Sequence, residues 1–111
     1  MTLNDLCQPL SAKVLCGDTD KSFSGVYVGD LLSRAMSRVS ADNIWVTIMA
    51  NSNTVAVATL TEPAAIILAE NVDMPKESLD AATKNDITVI SSPLSAYEIS
   101  VVIANMTPEN K

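Results

Sequence analysis

Residues 44–68 read IWVTIMANSNTVAVATLTEPAAIIL, and the conformation of the middle of this stretch decides the architecture. Ile44 to Met49 is a near-continuous apolar run containing Trp45, and Ala64 to Leu68 is a second one. Consecutive apolar positions of this kind mark strands buried on both faces of a parallel sheet. Between them, Asn53 to Leu60 places β-branched residues at alternate positions, which on its own favours a strand. Two observations point the other way. Asn51-Ser52-Asn53 is a helix-capping cluster, and parallel neighbours need a crossover element between them. The reading adopted is a helix over residues 52–61, buried on most sides.

Working outward, the chain alternates strand and helix. On the N-terminal side, residues 2–10 form a short helix capped by Thr2, with Leu3, Leu6 and Cys7 on one face and Pro9 near its end. Ala12 to Cys16 is a strand closed by Gly17-Asp18, and Phe23 to Val28 is a second. Gly29-Asp30 then starts a helix whose buried stripe is Leu31, Leu32, Ala35, Met36 and Val39. Asp30 falls in its first turn, placed to suit the helix dipole and to pair with Arg34. On the C-terminal side, Asp73 and Pro75 open a polar helix over residues 75–84. Ile87 to Ile90 is a third core strand. Ser95-Ala-Tyr-Glu98 is a capping box for a last helix. That helix carries two apolar stripes, Leu94-Tyr97-Val101-Ala104 and Ile99-Val102-Ile103-Met106, so it must be covered on two sides, by a deep position or a dimer interface. Residues 107–111 read as a frayed tail. The alternation implies an α/β fold with a mainly parallel sheet and helices on both faces, in one domain of 111 residues.

Composition narrows the function classes. Hydrophobic residues are 48% of the chain but aromatics only 4%, so the core is aliphatic. The net charge of −6 makes a nucleic-acid partner a poor fit, because affinity for the backbone comes from Lys and Arg. Residues 1–38 balance four cations, Lys13, Lys21, Arg34 and Arg38, against Asp5, Asp18, Asp20 and Asp30, so the whole excess lies downstream. No run has transmembrane length and no N-terminal signal pattern is present, so the expected setting is cytoplasmic, away from membranes. Cys7 and Cys16 form no CxxC and the chain has no histidine, so neither metal nor cofactor is expected and the thiols are read as reduced, small hydrophobes.

Catalytic patterns are equally sparse. Without histidine there is no Ser/His/Asp or Cys/His arrangement. Neither GxxxxGK[ST] nor GxGxxG occurs. The carboxylates are scattered along helices, so no paired-carboxylate centre is expected. A ligand site is sought beyond the carboxyl ends of the strands. There, Asn51, Ser52, Asn53, Ser91 and Ser92 combine helix starts with hydroxyl and amide groups suited to a phosphate or carboxylate. The loop Asp20 to Gly25 adds Asp20, Lys21, Ser24 and Gly25, with Lys21 as the cation for a phosphate.

The stretch Asp20-Lys21-Ser22-Phe23-Ser24-Gly25-Val26 followed by Tyr27-Val28-Gly29-Asp30-Leu31-Leu32-Ser33 resembles the signature region of DRTGG-domain proteins. Asp20-Lys21 stands where that family has Asp-Arg, Ser24-Gly25 where it has Thr-Gly, and Val26 replaces a second glycine. Trp45 to Ile48, Asn53 to Ala58 and Ser91 to Glu98 also look like stretches of small stand-alone members. The resemblance implies a three-layer α/β/α sandwich like the N-terminal domain of HPr kinase/phosphatase. It also implies a regulatory role, since such domains accompany nucleotide-binding CBS domains in some pyrophosphatases. The resemblance further implies a link to redox systems, since small stand-alone members are often encoded beside iron-only hydrogenase and electron-transfer proteins in anaerobes. Lysine for arginine gives up the planar fork that holds phosphate bidentately, and valine for glycine removes close backbone approach.

The expected function is therefore a non-catalytic regulatory or ligand-sensing domain, for an adenine nucleotide or another small anion, paired as a homodimer through the apolar C-terminal helix. The alternative is an interaction subunit of a hydrogenase or redox assembly that binds no small molecule.

Overall fold

The computed structural model describes residues 1–107, and the remainder of the expected tail, residues 108–111, lies outside it. Ten elements follow in order: α1 (Leu3–Cys7), β1 (Lys13–Cys16), β2 (Val26–Val28), α2 (Leu32–Arg38), β3 (Ile44–Thr47), α3 (Ser52–Thr61), β4 (Ala65–Leu68), α4 (Lys76–Lys84), β5 (Val89–Ser91) and α5 (Ala96–Met106). The strands form one sheet in the order β1-β5-β4-β3-β2. All neighbours are parallel except β1, which runs antiparallel to β5.

The deciding stretch folds as a helix. Asn51 caps it, its side-chain carbonyl accepting from the backbone N–H of Asn53 (3.0 Å) and Thr54 (3.2 Å). The β-branched residues that argue for a strand are accommodated by position. Thr54, Val55 and Val57 are buried, while the Thr59 and Thr61 hydroxyls donate to the carbonyls of Val55 and Val57 one turn back. Glu62 ends the helix in the left-handed region at φ 57°. Tertiary burial here outweighs intrinsic strand preference.

β3 and β4 are buried at every position, and their side chains alternate between two cores. Ile44, Val46, Ala65 and Ile67 pack with Leu3, Leu6, Ile99 and Ile103 beneath α1 and α5. Trp45, Ile66, Leu68 and Val89 pack with Ala35, Val55, Ala58 and Ala82 beneath α2, α3 and α4. The result is a three-layer α/β/α sandwich, with two helices on one face of the sheet and three on the other. Trp45 has no exposed surface, and its indole N–H donates to the Gly29 carbonyl at 3.0 Å.

Several boundaries differ from the sequence reading. α1 stops at Cys7, and Leu10 re-enters the core from the turn that follows. β2 begins at Val26 rather than Phe23, because Gly25 takes φ 81°, which a strand cannot continue through. α2 begins at Leu32, so Asp30 lies before the helix. Its carboxylate pairs with β3 instead of Arg34, accepting from the Thr47 hydroxyl (2.7 Å) and the Ile48 N–H (2.9 Å). The expected α2 stripe is half buried: Ala35 and Val39 are inside, while Leu31 and Met36 are exposed. The capping box of α5 forms as read, the Glu98 carboxylate and the Ser95 hydroxyl exchanging bonds with each other's backbone N–H. Only one stripe of α5 is covered. Ile99 and Ile103 are buried, whereas Tyr97 and Val101 lie on the open side. Thr107 is buried and donates its hydroxyl to the Ile103 carbonyl, so it closes the helix instead of starting a tail.

Candidate functional site

The nine candidate ligand residues fall at two opposite ends of the sheet. Asp20, Lys21, Ser24 and Gly25 lie at the amino ends of the parallel strands. Ser24 N–H donates to the Asp42 carbonyl just before β3, and Gly25 O accepts from Ile44 N–H at its first residue. Asn51, Ser52 and Asn53 follow β3, and Ser91 and Ser92 end and follow β5, all at the carboxyl ends. The sheet separates the two groups, so they form no common site.

At the amino edge, Lys21, Asp42, Glu62, Asn85 and Asp86 line a polar cavity of about 280 Å³. The Lys21 ammonium donates to the Asp86 carbonyl at 3.1 Å. Asp42, Glu62 and Asp86 each hold a left-handed backbone, φ 66°, 57° and 59°, in the connections that lead from a helix to the next strand. One ammonium among three acidic residues is a weak attractor for a phosphate, since the net local charge repels it. Asp20 is exposed and its N–H is turned onto the Asp18 carboxylate at 2.9 Å.

At the carboxyl edge, most of the candidate polar groups bond within the fold. Asn51 caps α3. The Ser52 hydroxyl meets the Ser78 hydroxyl at 2.9 Å. Ser91 donates to the Val72 carbonyl and Ser92 to the Leu10 carbonyl, both serines being buried. Ser92 also accepts from Leu94 N–H, so it pins α1's exit to α5's entry. Asn53 is exposed and is the residue of this group best placed to meet a ligand.

The sequence pattern does not reveal the role of Asp30 in the fold: its bonds to Thr47 and Ile48 tie the β2–α2 turn to the end of β3. The signal was its place in the signature stretch, read there as a helix-dipole residue. It also missed the apolar groove of about 420 Å³ between β2 and α5, lined by Val26, Val28, Ser100, Ile103 and Ala104. The strand pattern of residues 23–28 says nothing of position in the sheet, and only the strand order shows that the two valines lie at an edge.

Among the described residues, no group of three or more cysteine and carboxylate side chains converges to hold a metal ion. None of the helices there is long and apolar enough to cross a membrane. Burial raises the Cys7 thiol above its ordinary pKa, which holds it in the unreactive protonated form.

A family model described as DRTGG domain matches residues 5–106. Among solved structures, the chain is similar to the CBS and DRTGG domains of the regulatory region of Clostridium perfringens pyrophosphatase, complexed with its activator, diadenosine tetraphosphate. The two share 21% identity with a TM-score of 0.74, over 92% of this chain and 45% of that one. This chain therefore spans less than half the length of that structure. No curated protein matches it.

Proposed function

The chain belongs to the DRTGG domain family, and from that premise we propose that it is a non-catalytic regulatory domain that senses a small ligand. The observation that carries this reading is the extent of the family match, which runs from within α1 to the last residue of α5. The absence of histidine from the sequence, and the internal use of Ser91 and Ser92, support a role other than catalysis.

An adenine nucleotide is the ligand class to test first, because the solved relative is complexed with diadenosine tetraphosphate. The carboxyl edge near Asn53 is the better place for it than the acidic surroundings of Lys21. A ligand that binds only the folded chain, at a hundred times its Kd, stabilises it by about 2.7 kcal/mol. For a domain of this size that raises Tm by on the order of 10 °C. Thermal-shift titrations with ATP, AMP and diadenosine tetraphosphate are expected to give a saturable rise with at least one of them. The rise should be lost in Asn53→Ala and kept in Lys21→Ala. A flat response to every nucleotide removes adenine-nucleotide sensing and favours the interaction subunit instead.

A further inference from the structure

We infer that β2 is a self-pairing edge: two copies of this chain join β2 to β2, antiparallel about a two-fold axis at Tyr27, into one continuous ten-stranded sheet. β2 is the last strand of the sheet on its side. Its inner bonds to β3 run through alternate residues, since Gly25 O accepts from Ile44 N–H and Gly29 N–H donates to the Val46 carbonyl. In a parallel ladder the intervening residues turn their N–H and C=O groups the other way. Val26 and Val28 therefore present two donors and two acceptors along the open edge.

That spacing is self-complementary. In an antiparallel pair, residues that exchange both hydrogen bonds alternate with residues that exchange none. With Tyr27 opposite Tyr27 of the second copy, Val26 meets Val28 of the second copy, and Val28 meets Val26 of the second copy. Both are hydrogen-bonding pairs, so every outward group of both strands is satisfied in a single register. A one-residue slip would oppose outward groups to inward ones.

The chemistry around the edge fits the same occupant. Natural edge strands are usually protected by lysine, proline or a bulge. Residues 22–29 contain no charge and no proline. Val26 is 37% exposed and Val28 45%, both facing the groove beneath α5. Copies of a chain with net charge −6 repel each other. They can approach most closely on a charge-free face, and residues 99–106 of α5 are also uncharged. Stable interfaces bury roughly 1,200–2,000 Å², more than a three-residue strand supplies. The open stripe of α5, with Tyr97 76% and Val101 39% exposed, lies next to the groove and provides the remaining apolar area. The helix expected to carry a dimer thus flanks the contact, and the strand centres it. The inference is separate from the ligand reading, because the residues that would form the contact, Val26, Tyr27, Val28, Tyr97 and Val101, lie outside the candidate ligand set.

Light scattering on the eluting full chain at about 100 µM is expected to give twice the 11.8 kDa mass. Val26→Lys and Val28→Pro should each give the monomer mass with unchanged circular dichroism. Proline at 28 removes an outward N–H and leaves the bonds to β3 in place. Disulfide trapping reads the register independently. In a Cys7→Ser, Cys16→Ser background, Tyr27→Cys should cross-link under mild oxidation, because facing residues of a non-bonded pair lie about 4.5 Å apart at Cα. Val14→Cys, exposed on β1 at the opposite edge, should not. A monomeric parent chain overturns the inference. So does a dimer that survives both β2 substitutions, or one that cross-links equally through residue 14.

Discussion

Asp30 is exposed, yet its carboxylate accepts two hydrogen bonds at 2.7 and 2.9 Å from the carboxyl end of β3. Charge-assisted bonds of this kind contribute about 1.5–3 kcal/mol when intact. Asp30→Ala is therefore expected to lower the urea-unfolding free energy by on the order of 1–2 kcal/mol, and an unchanged midpoint would contradict the role. Gly17 is more tightly constrained. It sits at φ 92°, and a Cβ there would lie 2.5 Å from the Thr88 Cα. Gly17→Ala combines left-handed strain with a backbone clash and should cost about 2 kcal/mol or more, read from the same denaturation curve. Cys7 gives a reactivity test. Its pKa is raised by burial, so below that raised value the folded chain keeps the thiol protonated. Alkylation of Cys7 at pH 8 should run slower than for the denatured chain and accelerate as pH rises through the raised pKa. Equal rates would remove the burial argument. By linkage, the same shift adds stability that is present below the unfolded pKa and lost as pH rises through the folded one.

At the scale of elements, helix ends are where this chain departs from ordinary preference. α3 begins well, with Asn51 accepting two backbone bonds, and Asn51→Ala is expected to cost about 1 kcal/mol. It ends on Glu62 in a left-handed conformation that glycine adopts without a Cβ penalty. A negative side chain at a helix C-terminus also opposes the dipole. Glu62→Gly should therefore stabilise the chain, by about 0.5–1 kcal/mol, with the gain visible as a higher Tm. The elements also mark the limit of reading periodicity. Ser52–Thr61 is recognisable as a helix from its capping cluster at Asn51–Asn53 and from the crossover that the parallel neighbours β3 and β4 require, not from its own periodicity. Phe23–Val28 carried a pattern of equal quality and yielded a strand of three residues, because Gly25 turns the backbone before it.

At the scale of the whole molecule, the two cores meet through one sheet, and β3 and β4 contribute side chains to both. Unfolding either core should therefore disrupt the other. The single tryptophan, Trp45, is fully buried on β3, beside the central strand of this sheet. Its fluorescence and the far-ultraviolet circular dichroism are expected to report one coincident transition in urea. Separated midpoints would show that the α1/α5 layer and the α2–α4 layer open independently.

The sequence by itself determined the class of fold, the alternation of elements, most helix starts and the family. These follow from short-range chemistry: apolar runs for buried strands, and side chains that satisfy helix N–H groups within three residues. Tertiary structure alone decided which polar residues are spent within the fold and which remain available. Ser91 and Ser92 look like ligand groups until the carbonyls of Val72 and Leu10 arrive from 19 and 82 residues away. Lys21 looks like a phosphate contact until Asp42, Glu62 and Asp86 gather around it. Val26 and Val28 read only as strand residues until the strand order leaves them at an edge. In each case the deciding partner is distant along the chain, and no local pattern encodes it.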